Sequence, residues 1–134
     1  MFITAVIFMT SCSSAGNPPE AVQKAFTKMF PTVTKVKWGK ENATEYEAEF
    51  DLNGAEMSAN FTSDGTWVET ETEIEASQLP AAVSTAIEKQ YSGWAIREAA
   101  KVESATKGLI YEADIKSGVQ RKEVAFKEDG TSVE

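Results

Sequence analysis

Two stretches of this chain are near copies of one another. Tyr46-Glu47-Ala48-Glu49-Phe50 leads to Phe61-Thr62-Ser63-Asp64-Gly65-Thr66, and Tyr111-Glu112-Ala113-Asp114-Ile115 leads to Phe126-Lys127-Glu128-Asp129-Gly130-Thr131, each pair 65 residues apart. An alternating run, a gap, a second run and an Asp-Gly turn describe a meander of antiparallel strands. Each copy is too short to bury much core alone, so the two are expected to share one sheet.

An apolar stripe precedes each block. Val22, Ala25, Phe26 and Met29 fall at helical spacing before Pro31, and Val83, Ala86, Ile87 and Tyr91 do so before Gly93. The first helix is expected to start at Asn17-Pro18-Pro19-Glu20, with Asn17 as the cap, Pro18 at the first helical position and Glu20 reaching back. The helices lie 61 residues apart and the strand blocks 65, which puts about four extra residues near Ser104 to Gly108. The expected fold is α+β: two tandem α-β-β-β-β repeats, residues 18–78 and 79–134, in one domain with a shared antiparallel sheet. Both helices would pack on one face, leaving the other open to water. The C-terminus would cut the last strand short.

The pattern places charge on that open face. Tyr46, Ala48, Phe50 and Leu52 alternate with Glu45, Glu47, Glu49 and Asp51, so the acids share one side of a strand. Val36 and Trp38 alternate with Lys35 and Lys37, which a hairpin would set opposite the acid row. A two-residue turn at Asp64-Gly65 pairs Phe61 with Val68 and puts Trp67, Glu69, Glu71 and Glu73 on the same open face. A longer turn shifts the register by one residue and moves Trp67 inward.

Composition removes several classes of function. With 21 acidic against 13 basic residues the net charge is −8, which disfavours nucleic acid and points to a cationic or polar partner, or to a solvated surface only. There is no His and one Cys, so neither a Ser-His-Asp or Cys-His arrangement nor a thiolate zinc cage can be built. Neighbouring acids on a strand stand about 6.5–7 Å apart, within reach of glycosidase chemistry, but a whole exposed row singles out no proton-holding acid. The turns Ser63 to Thr66 and Glu128 to Thr131 lack the spacing of a known calcium loop. Ser104-Ala105-Thr106-Lys107 matches Ser-x-x-Lys without its companion motifs.

Residues 1–11 form an apolar run of signal-peptide length that ends in small residues before Cys12. The run resembles a bacterial lipoprotein signal, with Cys12 as the acylated first residue and residues 12–17 as a tether. An ordinary secretory signal or a buried free Cys is the alternative. Acylation would be the chain's one attachment to a membrane.

The paired Tyr-Glu-Ala-acid and Phe-x-x-Asp-Gly-Thr blocks, with this start, resemble the PepSY-like family of secreted Bacteroidetes proteins, also described as β-lactamase-inhibitor-like. The resemblance covers nearly all of residues 18–134 and implies a two-repeat fold in the cell envelope. It suggests a binding or inhibitory role for the open face and carries over no catalytic residue, cofactor or metal. The expected function is a non-enzymatic, monomeric, periplasm-facing lipoprotein that binds a protein or peptide partner. Its contacts would be Lys35, Lys37, Glu45, Glu47, Glu49, Asp51, Trp67, Glu69, Glu71 and Glu73. A small-ligand or calcium-binding module is the alternative.

Overall fold

The computed structural model describes residues 16–133, so the signal segment and Cys12 lie outside the described residues. Helix α1 (Glu20–Met29) precedes strands β1 (Lys37–Lys40), β2 (Glu45–Leu52), β3 (Ala55–Thr62) and β4 (Trp67–Ile74). A 3-10 turn (Ala76–Gln78) then leads to helix α2 (Ala81–Gln90) and strands β5 (Ala95–Ser104), β6 (Gly108–Ser117) and β7 (Gln120–Lys127). The seven strands form one antiparallel sheet in the order β1 to β7. Seven replace the expected eight: past the turn at Gly130 only a bridge between Phe126 and Ser132 forms.

The chain divides into two compact units, one of residues 16–72 with 104–106, the other of 73–103 with 107–133. Each has a core of its own. In the first, Val22 and Phe26 of α1 are buried with Ala48 and Phe50 of β2 and Ala59 and Phe61 of β3. Phe26 is the centre of that core, with ring centroids 5.1 Å from Phe50, 5.3 Å from Trp38 and 6.4 Å from Phe61. In the second unit, Val83 and Ile87 of α2 are buried with Tyr111, Ala113 and Ile115 of β6 and Val124 and Phe126 of β7. These are the residues that the two periodicities, helical and alternating, select.

Helix α1 starts later than Asn17. Its N-cap is Pro19, whose carbonyl accepts from the backbone amides of Val22 at 2.9 Å and Gln23 at 3.1 Å, and no side chain caps it. Two consecutive prolines explain the shift, since the residue before a proline is driven to extended geometry.

The Asp-Gly turns are built alike in both units. Gly65 N–H donates to the Thr62 carbonyl at 2.9 Å, Thr62 N–H donates to the Thr66 carbonyl at 2.9 Å, and Gly65 has φ +87°. Gly130 N–H donates to Lys127, Lys127 N–H donates to Thr131, and Gly130 has φ +86°. This is a three-residue loop, a type I turn closed by a left-handed glycine. The hydroxyls of Thr62 and Thr131 first, and then the amides of Thr66 and Thr131, donate to Asp64 and Asp129 and hold both carboxyls below their ordinary range.

Turn length corrects the placement of Trp67. Three loop residues pair Phe61 with Trp67 instead of Val68, and Val68 becomes the extra residue of a bulge, after which Asn60 faces Glu69. Trp67 thereby packs against the Phe26 core, where its Nε1 donates to Thr70 Oγ1 at 2.9 Å. It is removed from the open face.

An acidic sheet face in the first unit

The acid row is a consequence of β2 pairing. With Ala48 and Phe50 in the core, Glu45, Glu47, Glu49 and Asp51 share the opposite face. On β1, Lys37 faces Glu49 and Gly39 faces Glu47; on β3, Ser58 faces Glu49 and Asn60 faces Glu47. On β4, Glu69 and Glu71 stand opposite Asn60 and Ser58, on the same side. Glu73 is exposed near the end of that strand.

Of the two lysines expected against the acids, one is there. Lys37 Nζ donates to Glu49 Oε2 at 3.1 Å. Lys35 precedes β1, where the backbone has left the sheet, and lines a cleft of about 960 Å³ instead. Lys37, Glu49 and Asp51 border that cleft too, over an apolar floor that includes Val33, Phe50 and Met57. Sequence alternation places Lys35 in the strand because it cannot show where pairing with β2 ends.

Burial along the acid rows is uneven. Asp51 is exposed, Glu45, Glu47, Glu49 and Glu69 are half-buried, and Glu71 is only 4% exposed. The expectation that no acid is singled out fails at Glu47. Burial first, and then the carboxyls of Glu41 and Glu49 beside it, push Glu47 up to about 8. The sign follows from linkage: the native state holds a proton that the unfolded chain releases near pH 4.5, so stability falls as pH rises from there to about 8. Discounted for solvent at a half-buried position, the effect is on the order of 1–2 kcal/mol.

Three neighbours of Glu47 escape a reading of the sequence. Glu41 belongs to the β1–β2 turn, whose Asn42 Oδ1 accepts from the amides of Thr44 at 2.9 Å and Glu45 at 3.0 Å. Gly39 offers no side chain. Asn60 is 4% exposed and its Oδ1 has no hydrogen-bond partner. Strand parity would have placed Gly39 and Asn60 on the acidic face, but only the register sets both beside Glu47.

In the second unit a different charge pattern occupies the strands. Asp114 of β6 accepts from Arg97 Nη1 at 2.9 Å and from Arg121 of β7. Opposite Asp114 stands Glu123, whose carboxyl is raised by burial and then by the Asp114 charge. Among the described residues no group of three His, Cys, Asp or Glu is placed to hold a metal ion.

Residues 44–133 match the family model described as "Putative beta-lactamase-inhibitor-like, PepSY-like". The chain belongs to the PepSY-like family. Solved structures resemble this family member in fold. A "putative periplasmic" protein from Bacteroides eggerthii DSM 20697 is 25% identical, with 89% of this chain and 88% of that chain covered and a TM-score of 0.81. A BLIP-like protein from Bacteroides fragilis NCTC 9343 is 26% identical, with 90% and 86% covered and a TM-score of 0.78. A DUF2874 family protein from Bacteroides ovatus ATCC 8483 is 24% identical, with 90% and 87% covered and a TM-score of 0.81. No curated protein matches this PepSY-like chain.

Proposed function

We propose that the protein is a non-enzymatic, inhibitor-like binder of the periplasm that engages a protein or peptide partner through the acidic sheet face of residues 16–72. The observation that carries this reading is the face itself: a strand presents Glu45, Glu47, Glu49 and Asp51 on one side, and of these Glu49 takes Lys37. A surface of acceptors suits a partner that brings donors and positive charge. The family description and the BLIP-like and periplasmic relatives support an inhibitor-like role in that compartment. A chain without His supports a role without catalysis.

The same reading makes the two units copies of one α-β-β-β-β motif in a single domain, each helix packed on the strands of its own unit. The matched Gly65 and Gly130 turns support the duplication. Cys12 is the lipid anchor of a monomer, outside the described residues. No described helix is long and apolar enough to cross a membrane. A small-ligand site is the second reading, and the cleft beside Lys35 with its apolar floor is the observation that favours it.

Site-specific photo-crosslinking in the periplasm tests the first reading. A crosslinker at Glu45 or Asp51 is expected to trap one partner that the same group at Lys24, exposed on α1, does not. Trapping at Lys24 alone, or no product from the sheet face, would remove the assignment.

A further inference from the structure

The acidic face has a notch in it. Gly39 lies directly across β1 from Glu47, and a Cβ added at Gly39 would meet no heavy atom within 4 Å. On the other flank of Glu47 stands Asn60, 4% exposed, its Oδ1 without a donor. A buried oxygen left without a donor is a defect that native structures rarely leave uncorrected. Glu49, next along β2, is already engaged by Lys37 at 3.1 Å. The notch thus offers the Glu47 carboxyl and the Asn60 oxygen, and Lys37, the cation beside them, is committed to Glu49. Among the described residues no group of three acids is placed to hold a metal ion.

We propose that this notch receives an arginine side chain of the partner, its guanidinium donating to Glu47 and to Asn60 Oδ1 while its aliphatic stem crosses Gly39. The inference rests on the reading of this face as the partner-binding surface. Arginine is preferred to lysine for a geometric reason. A guanidinium presents a planar fork of N–H donors that can serve two acceptors at once, whereas an ammonium is a compact, strongly hydrated point charge. Absence of a side chain at Gly39 leaves room for the stem, which can cover apolar surface while the head is bound.

Proton uptake accompanies the empty notch. Glu47 is faced by Glu41 from the turn, Glu45 and Glu49 along β2, Asn60 and Ser58 on β3, Glu69 beyond Asn60 on β4, and from β1 by Gly39 with Lys37 one pair away. Most of these charges are negative, so the empty site favours the proton and a guanidinium would displace it. Arginine binding should tighten as pH rises through the Glu47 transition.

The test is an NMR titration of the full chain with acetyl-Gly-Arg-Gly-amide and its citrulline counterpart, following the Gly39 amide, the Asn60 side-chain amide and the Glu47 carboxyl. The arginine peptide is expected to give saturable shifts at all three and a lowered Glu47 midpoint, and the citrulline peptide none. A Gly39→Arg variant should fill the notch from within, lower the Glu47 midpoint without ligand and abolish the peptide's shifts, whereas Lys24→Arg, at an exposed position of α1, should bind as the parent does. Equal shifts from citrulline, or an unmoved Glu47 in Gly39→Arg, would overturn the notch assignment. If crosslinks from Glu45 and Asp51 persist in that event, the face still binds a partner and only the arginine is wrong.

Discussion

Phe26→Ala is expected to cost about 3–5 kcal/mol of stability, among the largest effects of any core truncation in this chain. The reason is the number of aromatic partners left facing a void. Phe26 is 3% exposed, and the rings of Phe30, Phe50, Trp38 and Phe61 lie around it at 5.1–6.4 Å between centroids. Those rings come from the segment after α1, from β1, from β2 and from β3, so no single element can move in to fill the space. Edge-on and tilted contacts of this kind add about 0.5–1.5 kcal/mol per pair beyond burial. Ile87, buried at the matching place on α2, is aliphatic and brings no ring to edge-on contacts, and Ile87→Ala should cost less, about 2–4 kcal/mol. Chemical denaturation of both variants measures the difference, and equal losses would show that the aromatic cluster adds nothing to simple burial.

Gly65→Ala and Gly130→Ala should each be destabilising by about 2–5 kcal/mol, through left-handed strain and overpacking together. At Gly65 an added Cβ would come within 2.6 Å of the Ala21 carbonyl oxygen, and at Gly130 within 2.6 Å of that of Ala82. Both obstacles are helix backbone, which a side-chain rotation cannot move aside. Gly54 separates the two causes. It has φ +80° but nothing within 4 Å of an added Cβ, so Gly54→Ala should show the strain alone, about 1–2 kcal/mol. Thermal or denaturant unfolding of the three variants checks this, and a Gly54 loss equal to the others would remove the close helix approach as a cause. The glycine of each Asp-Gly turn thus sets how near a helix can come to the hairpin tip.

Much of this architecture was legible in the sequence, because periodicity reports faces directly. Val22 with Phe26, Ala48 with Phe50, and Val124 with Phe126 are core residues by spacing and by burial alike. What spacing does not carry is register. A two-residue turn at Asp64-Gly65 would have left Trp67 on the acidic face; the loop has three residues, and the tryptophan turns inward. Lys35 was misplaced for a related reason, since alternation continues past the point where β1 stops pairing.

The special standing of Glu47 was invisible for a third reason. Along β2 it is one acid in a row of like acids. Its distinction comes from its burial between β1 and β3 and from two carboxyls beside it, Glu41 from the turn and Glu49 from its own strand. Desolvation and repulsion are properties of assembled neighbours.

The stability of the parent and of Glu47→Gln, measured from about pH 4.5 to above 8, tests that assembly most directly. Glutamine keeps the shape and cannot ionise. The parent should lose stability relative to the variant as pH rises through this window, by on the order of 1–2 kcal/mol, the difference levelling off once Glu47 is ionised. Two curves that run parallel across the whole range would contradict the account, because Glu47 would then be an ordinary solvated carboxylate in a row of equals.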